Sequence, residues 1–296
     1  MKGINYGHHL VTTEFVVGGV LDSARYESVV RAEMLEILKQ GFDEIRLDYP
    51  QWNGASWTSP AFERRKLSVR IALSLPFKKV LWGVVHTRPT VTAANYPNSR
   101  DFILNTLLPW AQGVNDSRLC MSIGNEEEPH VDGTTLTAAT MRSNLLTLAT
   151  SAQAIYTVGP VYYDASIDSV YGGGNVWGDN SIGSLDLLGI NVYKGVLPDY
   201  AGFTAAVADI YSRFGSKIYC GEYNTGNGFD DMISYGRRYA EEIYSKVNID
   251  RRNILDSYNI PWYFFSYAAN SNPANQPNAF ALKMADGTFH QLWDVL

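Results

Sequence analysis

Short apolar runs rich in β-branched and aromatic residues recur along the chain, and each gives way to polar punctuation and then, in most cases, to a stretch with helical spacing. The runs are GINY (3 to 6), EIRLDY (44 to 49), VLWGVVH (80 to 86), LCMSIGN (119 to 125), YTVGPVYY (156 to 163), LDLLGINVY (185 to 193), KIYCGEY (217 to 223) and WYFFSY (262 to 267). Helices are expected at 27 to 40, closed by Gly41, at 60 to 75 behind a Ser59 cap, and at 99 to 112, where Pro109 sits awkwardly. Others are expected at 135 to 155, 200 to 214 before Gly215, 231 to 247, and 288 to 295. The segment after the fifth run, DASIDSVYGGGNVWGDNSIGS, reads mostly as loop. Alternation of strand and helix implies a parallel sheet with right-handed crossovers, and eight such units are expected to close into an α/β fold, the (β/α)8 TIM barrel. Residues 1 to 296 are expected to form a single domain, because YGGGNVWG and NSNPANQPN fall within the alternation and read as rim loops.

Composition narrows the partners. With 46% hydrophobic and 18% charged residues the chain can bury a large core. A net charge of −6, with no run of Arg alone or of Lys alone longer than two residues, lacks the footprint of a nucleic-acid or anionic-membrane binder. Neutral or cationic ligands fit better, and 19 Tyr, 7 Trp and 12 Phe offer flat faces with polar tips that suit sugars. The opening MKGINYG lacks the regions of a signal peptide, and no run reaches the length of a membrane span, so the expectation is a cytoplasmic protein or one secreted with its signal removed. A monomer is the simpler expectation. Cys120 lies six residues before Glu126 and Cys220 two before Glu222. If those glutamates end their strands at one level, the thiols differ in height by about 13 Å, too far for a disulfide.

In such barrels the active site forms at the C-terminal strand ends. Those ends carry Asn5, Arg46 and Asp48, His86, Asn125 and Glu126, Asn191 and Tyr193, and Glu222 and Tyr223, followed by the aromatic run from Trp262 to Tyr267. Glu126 and Glu222 are three βα units apart, which places two carboxylates across one mouth and suits glycoside hydrolysis. In SIGNEEEPH only Glu126 directly continues the strand; Glu127 and Glu128 are expected beyond it, facing solvent, capping a turn or touching a distal sugar.

IGNEEEP resembles the Asn-Glu motif of strand four in the clan A retaining glycoside hydrolases, the (β/α)8 clan that includes cellulases and β-mannanases, and IYCGEYN resembles their strand-seven nucleophile segment. GIN in strand one, IRLD in strand two, His86 closing strand three, INVY in strand six and WYFFSY in strand eight are similar to the same clan, so the likeness spans nearly the whole chain at its strand ends. It implies Glu126 as general acid/base and Glu222 as nucleophile, their carboxyls about 5 to 5.5 Å apart, with the charge of Glu222 keeping a proton on Glu126 until the glycosyl-enzyme forms. It further implies that Arg46 and Tyr193 hold Glu222, that Asn125 hydrogen-bonds the sugar 2-hydroxyl, and that His86 contacts substrate or this network. Trp262 is the first candidate for a stacking platform, with Phe265 and Tyr267 as competitors. The reaction implied is retaining hydrolysis of β-linked oligo- or polysaccharides, glucan or mannan foremost, with no metal or organic cofactor.

Blander readings stand beside these. Arg46 has an alternative as a barrel-core ion pair, and His86 as a satisfied core histidine. A catalytically silent carbohydrate-binding barrel and a transglycosylase using the same site are the alternative functions. His8 and His9 point opposite ways on a strand and lack metal-ligand spacing, GGGN at 172 to 175 lacks phosphate-loop context, and no G-x-S-x-G elbow occurs.

Overall fold

Eight parallel strands close into a barrel, each formed where a β-rich apolar run meets its neighbour in register. They are β1 (Lys2–Tyr6), β2 (Glu44–Leu47), β3 (Lys79–Gly83), β4 (Leu119–Asn125), β5 (Val161–Ser166), β6 (Leu187–Val192), β7 (Ile218–Tyr223) and β8 (Trp262–Phe264). This computed structural model describes residues 2–7, 14–47, 50, 54, 56–86, 90–171, 176–192, 200–224, 237–265, 282–283 and 296. The expected helix at 288 to 295, and Asp48, Tyr193, Tyr267, His8, His9 and the GGGN segment, lie outside the described residues.

The helices are α1 (Ser23–Lys39), α2 (Pro60–Ser74), α3 (Tyr96–Phe102), α4 (Leu108–Val114), α5 (Ala138–Ile155), α6 (Ile167–Tyr171), α7 (Tyr200–Phe214) and α8 (Arg237–Ser257). Asp22 caps α1 by accepting from the Arg25 N–H, and Thr137 caps α5 by accepting from the Thr140 N–H. Pro109 does not break its helix. A π-helical turn, Ile103–Leu107, joins α3 to α4, and the N–H of Leu108 bonds five residues back to Ile103, widening the ladder just where proline has no N–H to give. A two-stranded hairpin, Val16–Val17 with Val20–Leu21, precedes α1.

Three expectations need correcting. The fifth strand runs over Val161–Ser166, five residues later than its expected start, because Tyr156 still caps α5 and Gly159-Pro160 separate helix from strand. Within the expected loop lies the short α6. The helix expected at 231 to 247 continues to Ser257, since its charged stretch forms i,i+4 pairs such as Lys246 with Asp250 at 2.6 Å.

Inside the barrel, side chains stack in layers. Lowest, Tyr263 donates to Glu44, whose other oxygen lies 3.6 Å from Lys79, and the Tyr263 ring fills the space that Gly3 leaves open. Tyr219 sits edge-on to Tyr263 and Tyr162, at 5.8 and 5.5 Å between ring centroids, and points its hydroxyl upward to Asp164. Most of the aromatic surplus is consumed in packing of this kind. Trp82, Trp177, Tyr6, Tyr26, Tyr156, Tyr162, Tyr163 and Tyr223 are fully buried, and Trp57, Trp82 and Trp110 cluster with Phe62 and Phe102 between the barrel and its helices. Cys120 and Cys220 are buried free thiols, and burial pushes Cys120 up to about 12.

Candidate active site

Two strands change their parity immediately below the mouth, and this aims the expected site residues. Along β7, Ile190 pairs with Cys220 but Asn191 pairs with Glu222, so Gly221 is an extra residue opposite none of its own. Without that bulge, a strand that points Tyr219 inward would point Glu222 outward. A second register shift lies in β4 between Ser122 and Asn125, after which Asn125 stands level with Asp164. Both shifts bring polar side chains into the barrel that simple alternation would have turned toward the helices.

Arg46 stands at the centre. Its Nη1 donates to Oε1 of Glu222 at 2.6 Å and to Oδ1 of Asn5 at 2.6 Å, and its Nη2 donates to Oδ1 of Asn125 at 3.1 Å and to Oδ2 of Asp164 at 3.3 Å. The guanidinium is thereby fixed by residues from β1, β4, β5 and β7, and with Arg46 only 2% exposed its charge is shielded from bulk water. Asn125 accepts from Asn191 at 2.9 Å as well as from Arg46. Two donors on its oxygen fix which way the amide is turned, with its NH2 group as the donor side.

Glu126 leaves the strand in the left-handed region, φ 54°, and its N–H donates to the carbonyl of Asp164 at 2.7 Å. A non-glycine residue held there costs about 1 to 3 kcal/mol and marks a backbone position imposed by its surroundings. Glu126 is half-buried.

Of the three alternatives expected for the next two glutamates, burial excludes the solvent-facing one. Glu127 is fully buried; its Oε1 accepts from the His86 N–H at 3.0 Å, and its own N–H donates to the Tyr163 hydroxyl at 2.8 Å. Glu128 is 2% exposed and accepts from the Tyr163 hydroxyl and from the Trp177 indole, the latter at 2.6 Å. Burial pushes its carboxyl up to about 7. These bonds tie the turn after Glu126 to β5 and to the segment bearing Trp177, which is why a triple glutamate stands there: one acid at the mouth and two as buried anchors.

Of the other expected site residues, His86 is fully buried, with Nδ1 2.5 Å from the Ser99 hydroxyl, Nε2 3.1 Å from the Ile123 carbonyl and its ring 4.9 Å from that of Tyr96. The Ile123 carbonyl can only accept, so Nε2 carries the proton of that contact. Trp262 requires a correction. It opens β8 level with Lys2, at the base of the barrel, donates to Asp256 of α8 at 2.9 Å and packs against Phe42 and Tyr223. Buried at 2% exposure against Phe42, Tyr223 and Asp256 of α8, its ring has no open face to serve as a platform.

Asp164 was not among the residues singled out from the sequence. Fully buried, its Oδ1 accepts from the Tyr219 hydroxyl at 2.5 Å and its Oδ2 from Arg46. Burial raises its carboxyl above the usual range, while Arg46 and Tyr219 oppose that shift. Asn5 and Asn191 also join the network. Among the described residues, no group of three or more His, Cys, Asp or Glu is placed to hold a metal ion, and no helix is long and apolar enough to cross a membrane.

No protein-family model matches the sequence, and neither does the sequence of any curated protein. Solved structures do match the fold. The endoglucanase Cel5A of the hyperthermophilic Thermotoga maritima superposes with a TM-score of 0.68 at 15% identity, over 99% of this chain and 96% of its own. A glycoside hydrolase family 5 enzyme of Prevotella bryantii B14, solved with a xyloglucan tetradecasaccharide, gives 0.65 at 12% identity, over 94% and 92%. A β-glucuronidase of Parabacteroides merdae gives 0.66 at 12% identity, over 99% of this chain but only 35% of its own. The chain thus has the closed (β/α)8 fold that these enzymes share.

Proposed function

We propose that the protein is a retaining glycoside hydrolase acting on β-linked oligo- or polysaccharides, with Glu222 as nucleophile and Glu126 as general acid/base. The observation that carries this reading is the buried guanidinium of Arg46, bonded at once to Glu222 and to Asn125, the residue directly before Glu126. The names of the fold neighbours, an endoglucanase and a xyloglucan-bound enzyme among them, support a β-glucan as substrate.

In the first step an oxygen of Glu222 attacks the anomeric carbon, the bond to the leaving oxygen breaks with its electron pair, and Glu126 gives that oxygen its proton. Water then attacks the same carbon, Glu126 takes a proton from it, and Glu222 leaves as carboxylate. Two inversions give net retention. The NH2 group of Asn125 suits a sugar 2-hydroxyl whose hydrogen bond strengthens in the transition state. A panel of aryl β-glycosides and soluble β-glycans, assayed with wild type, Glu126→Gln and Glu222→Gln, tests the reading, with product analysis separating hydrolysis from sugar transfer. Either substitution is expected to lower kcat by about 10³-fold or more without unfolding the chain. Azide is expected to restore turnover to Glu222→Ala with inverted product. Undiminished hydrolysis by both Gln variants refutes the assignment.

A further inference from the structure

We infer that Asp164 is a positioning residue that supplies the countercharge to Arg46 while Glu222 is esterified to the sugar, an inference that rests on the proposed retaining mechanism. Among the described residues Arg46 has a carboxylate partner at each terminal nitrogen of its guanidinium: Glu222 at Nη1, 2.6 Å away, and Asp164 at Nη2, 3.3 Å away. Only the first becomes covalently modified. When an oxygen of Glu222 bonds to the anomeric carbon and the leaving group departs with the electron pair and the Glu126 proton, the nucleophile becomes a neutral ester. Arg46 then keeps its positive charge in a place that is 2% exposed, where a buried cation calls for a countercharge.

Asp164 is built for the complementary role. Its carboxyl is fully buried in a slot created by two glycines, since a Cβ on either Gly189 or Gly221 would overlap Oδ1. Tyr219 from β7 donates to that same oxygen at 2.5 Å. The charged and titratable groups facing it are thus Arg46 from β2 and Tyr219 and Glu222 from β7. Burial is the largest cause holding its proton affinity high, and the negative charge of Glu222 adds to it. Esterification removes that second cause at the moment the countercharge is required. Asp164 also accepts the Glu126 N–H through its main-chain carbonyl, so one residue of β5 braces both halves of the catalytic pair.

Without the Asp164 charge, Arg46 would hold the free Glu222 carboxylate more tightly and lose more when that carboxylate becomes an ester. Forming the glycosyl-enzyme would slow, whereas releasing it, which restores the ion pair, would not. A loss of structural order would slow both steps. The test uses the 2-deoxy-2-fluoro counterpart, with a dinitrophenyl leaving group, of the aryl β-glycoside that wild type turns over fastest. Covalent labelling and release of label are followed by intact mass. For Asp164→Asn, labelling is expected to slow at least tenfold while release proceeds at the wild-type rate or faster. Tyr219→Phe, which weakens the ionised form of Asp164 without altering its charge, is expected to shift the two rates in the same order by about threefold; it carries the test alone if Asp164→Asn does not fold. Equal slowing of both steps, or labelling at the wild-type rate, overturns the inference and leaves the glycosidase reading standing. Failure of wild type to be labelled, with Glu222→Gln as active as wild type, overturns that reading and the inference together.

Discussion

The Nη1 of Arg46 lies 2.6 Å from Oε1 of Glu222, and the same guanidinium is held by Asn5, Asn125 and Asp164, so its plane has no freedom to turn away. A lysine ammonium is a point charge on a flexible stem and cannot span those acceptors. Arg46→Lys is therefore expected to lower kcat by about 10²-fold through a misplaced Glu222. Arg46→Ala is expected to cost about 3 to 5 kcal/mol of stability as well, because it strands buried carboxylates. Steady-state kinetics beside thermal melts separate the two effects. A Lys variant with wild-type kcat would show that the guanidinium is a core ion pair alone.

Gly189 faces the same layer, and a methyl group there would overlap Oδ1 of Asp164 and come within 2.6 Å of the Tyr219 hydroxyl. Neither neighbour can retreat, as Asp164 is pinned by Arg46 and Tyr219 by its own bond to Asp164. Gly189→Ala is expected to destabilise the fold by about 1 to 3 kcal/mol and to reduce activity together with it. Chemical denaturation and kinetics on one preparation check both; a variant as stable as wild type would mean that the slot is wider than its atoms indicate.

The eight strands were legible because buried parallel strands leave compact apolar runs between helical stretches. Strand-end residues such as Arg46, Asn125 and Glu222 were legible for the same reason, being polar where an apolar run stops. Asp164 was hidden by a boundary: with the fifth strand read as ending at Tyr163, the aspartate fell into a loop. Glu127 and Glu128 were hidden because their partners, the His86 N–H, Tyr163 and Trp177, come from distant positions, and hydrogen-bonded burial of an acid leaves no local mark. The bulges at Gly221 and below Asn125 were hidden too, since register depends on the neighbouring strand and not on the strand's own residues.

Glu128 makes the stability of the protein depend on pH. Its ordinary value is 4.5, and burial raises the folded value to about 7, so the folded chain holds this proton more tightly than the unfolded one. The resulting stabilisation is complete below the lower value and is lost as the pH climbs through the higher one, in total on the order of 3 kcal/mol. Thermal melts across that window are expected to fall for wild type and to flatten for Glu128→Gln, which keeps the shape and cannot ionise. Parallel slopes for the two proteins would assign the dependence to another group.

Trp262 distinguishes a core indole from a sugar platform. Its ring lies at the start of β8, buried against Phe42 and Tyr223, and its N–H is committed to Asp256 at 2.9 Å. Trp262→Phe removes that hydrogen bond and leaves part of the indole volume unfilled, so a loss of about 1 to 3 kcal/mol is expected. A ring at the base of the barrel touches no substrate at the mouth, and KM for the best glycoside is expected to stay within twofold of wild type. Denaturant titration and steady-state kinetics decide between the two roles. A tenfold rise in KM with an unchanged unfolding midpoint would return Trp262 to the sugar site, because only direct contact with the ligand could weaken binding while leaving the packing energy intact.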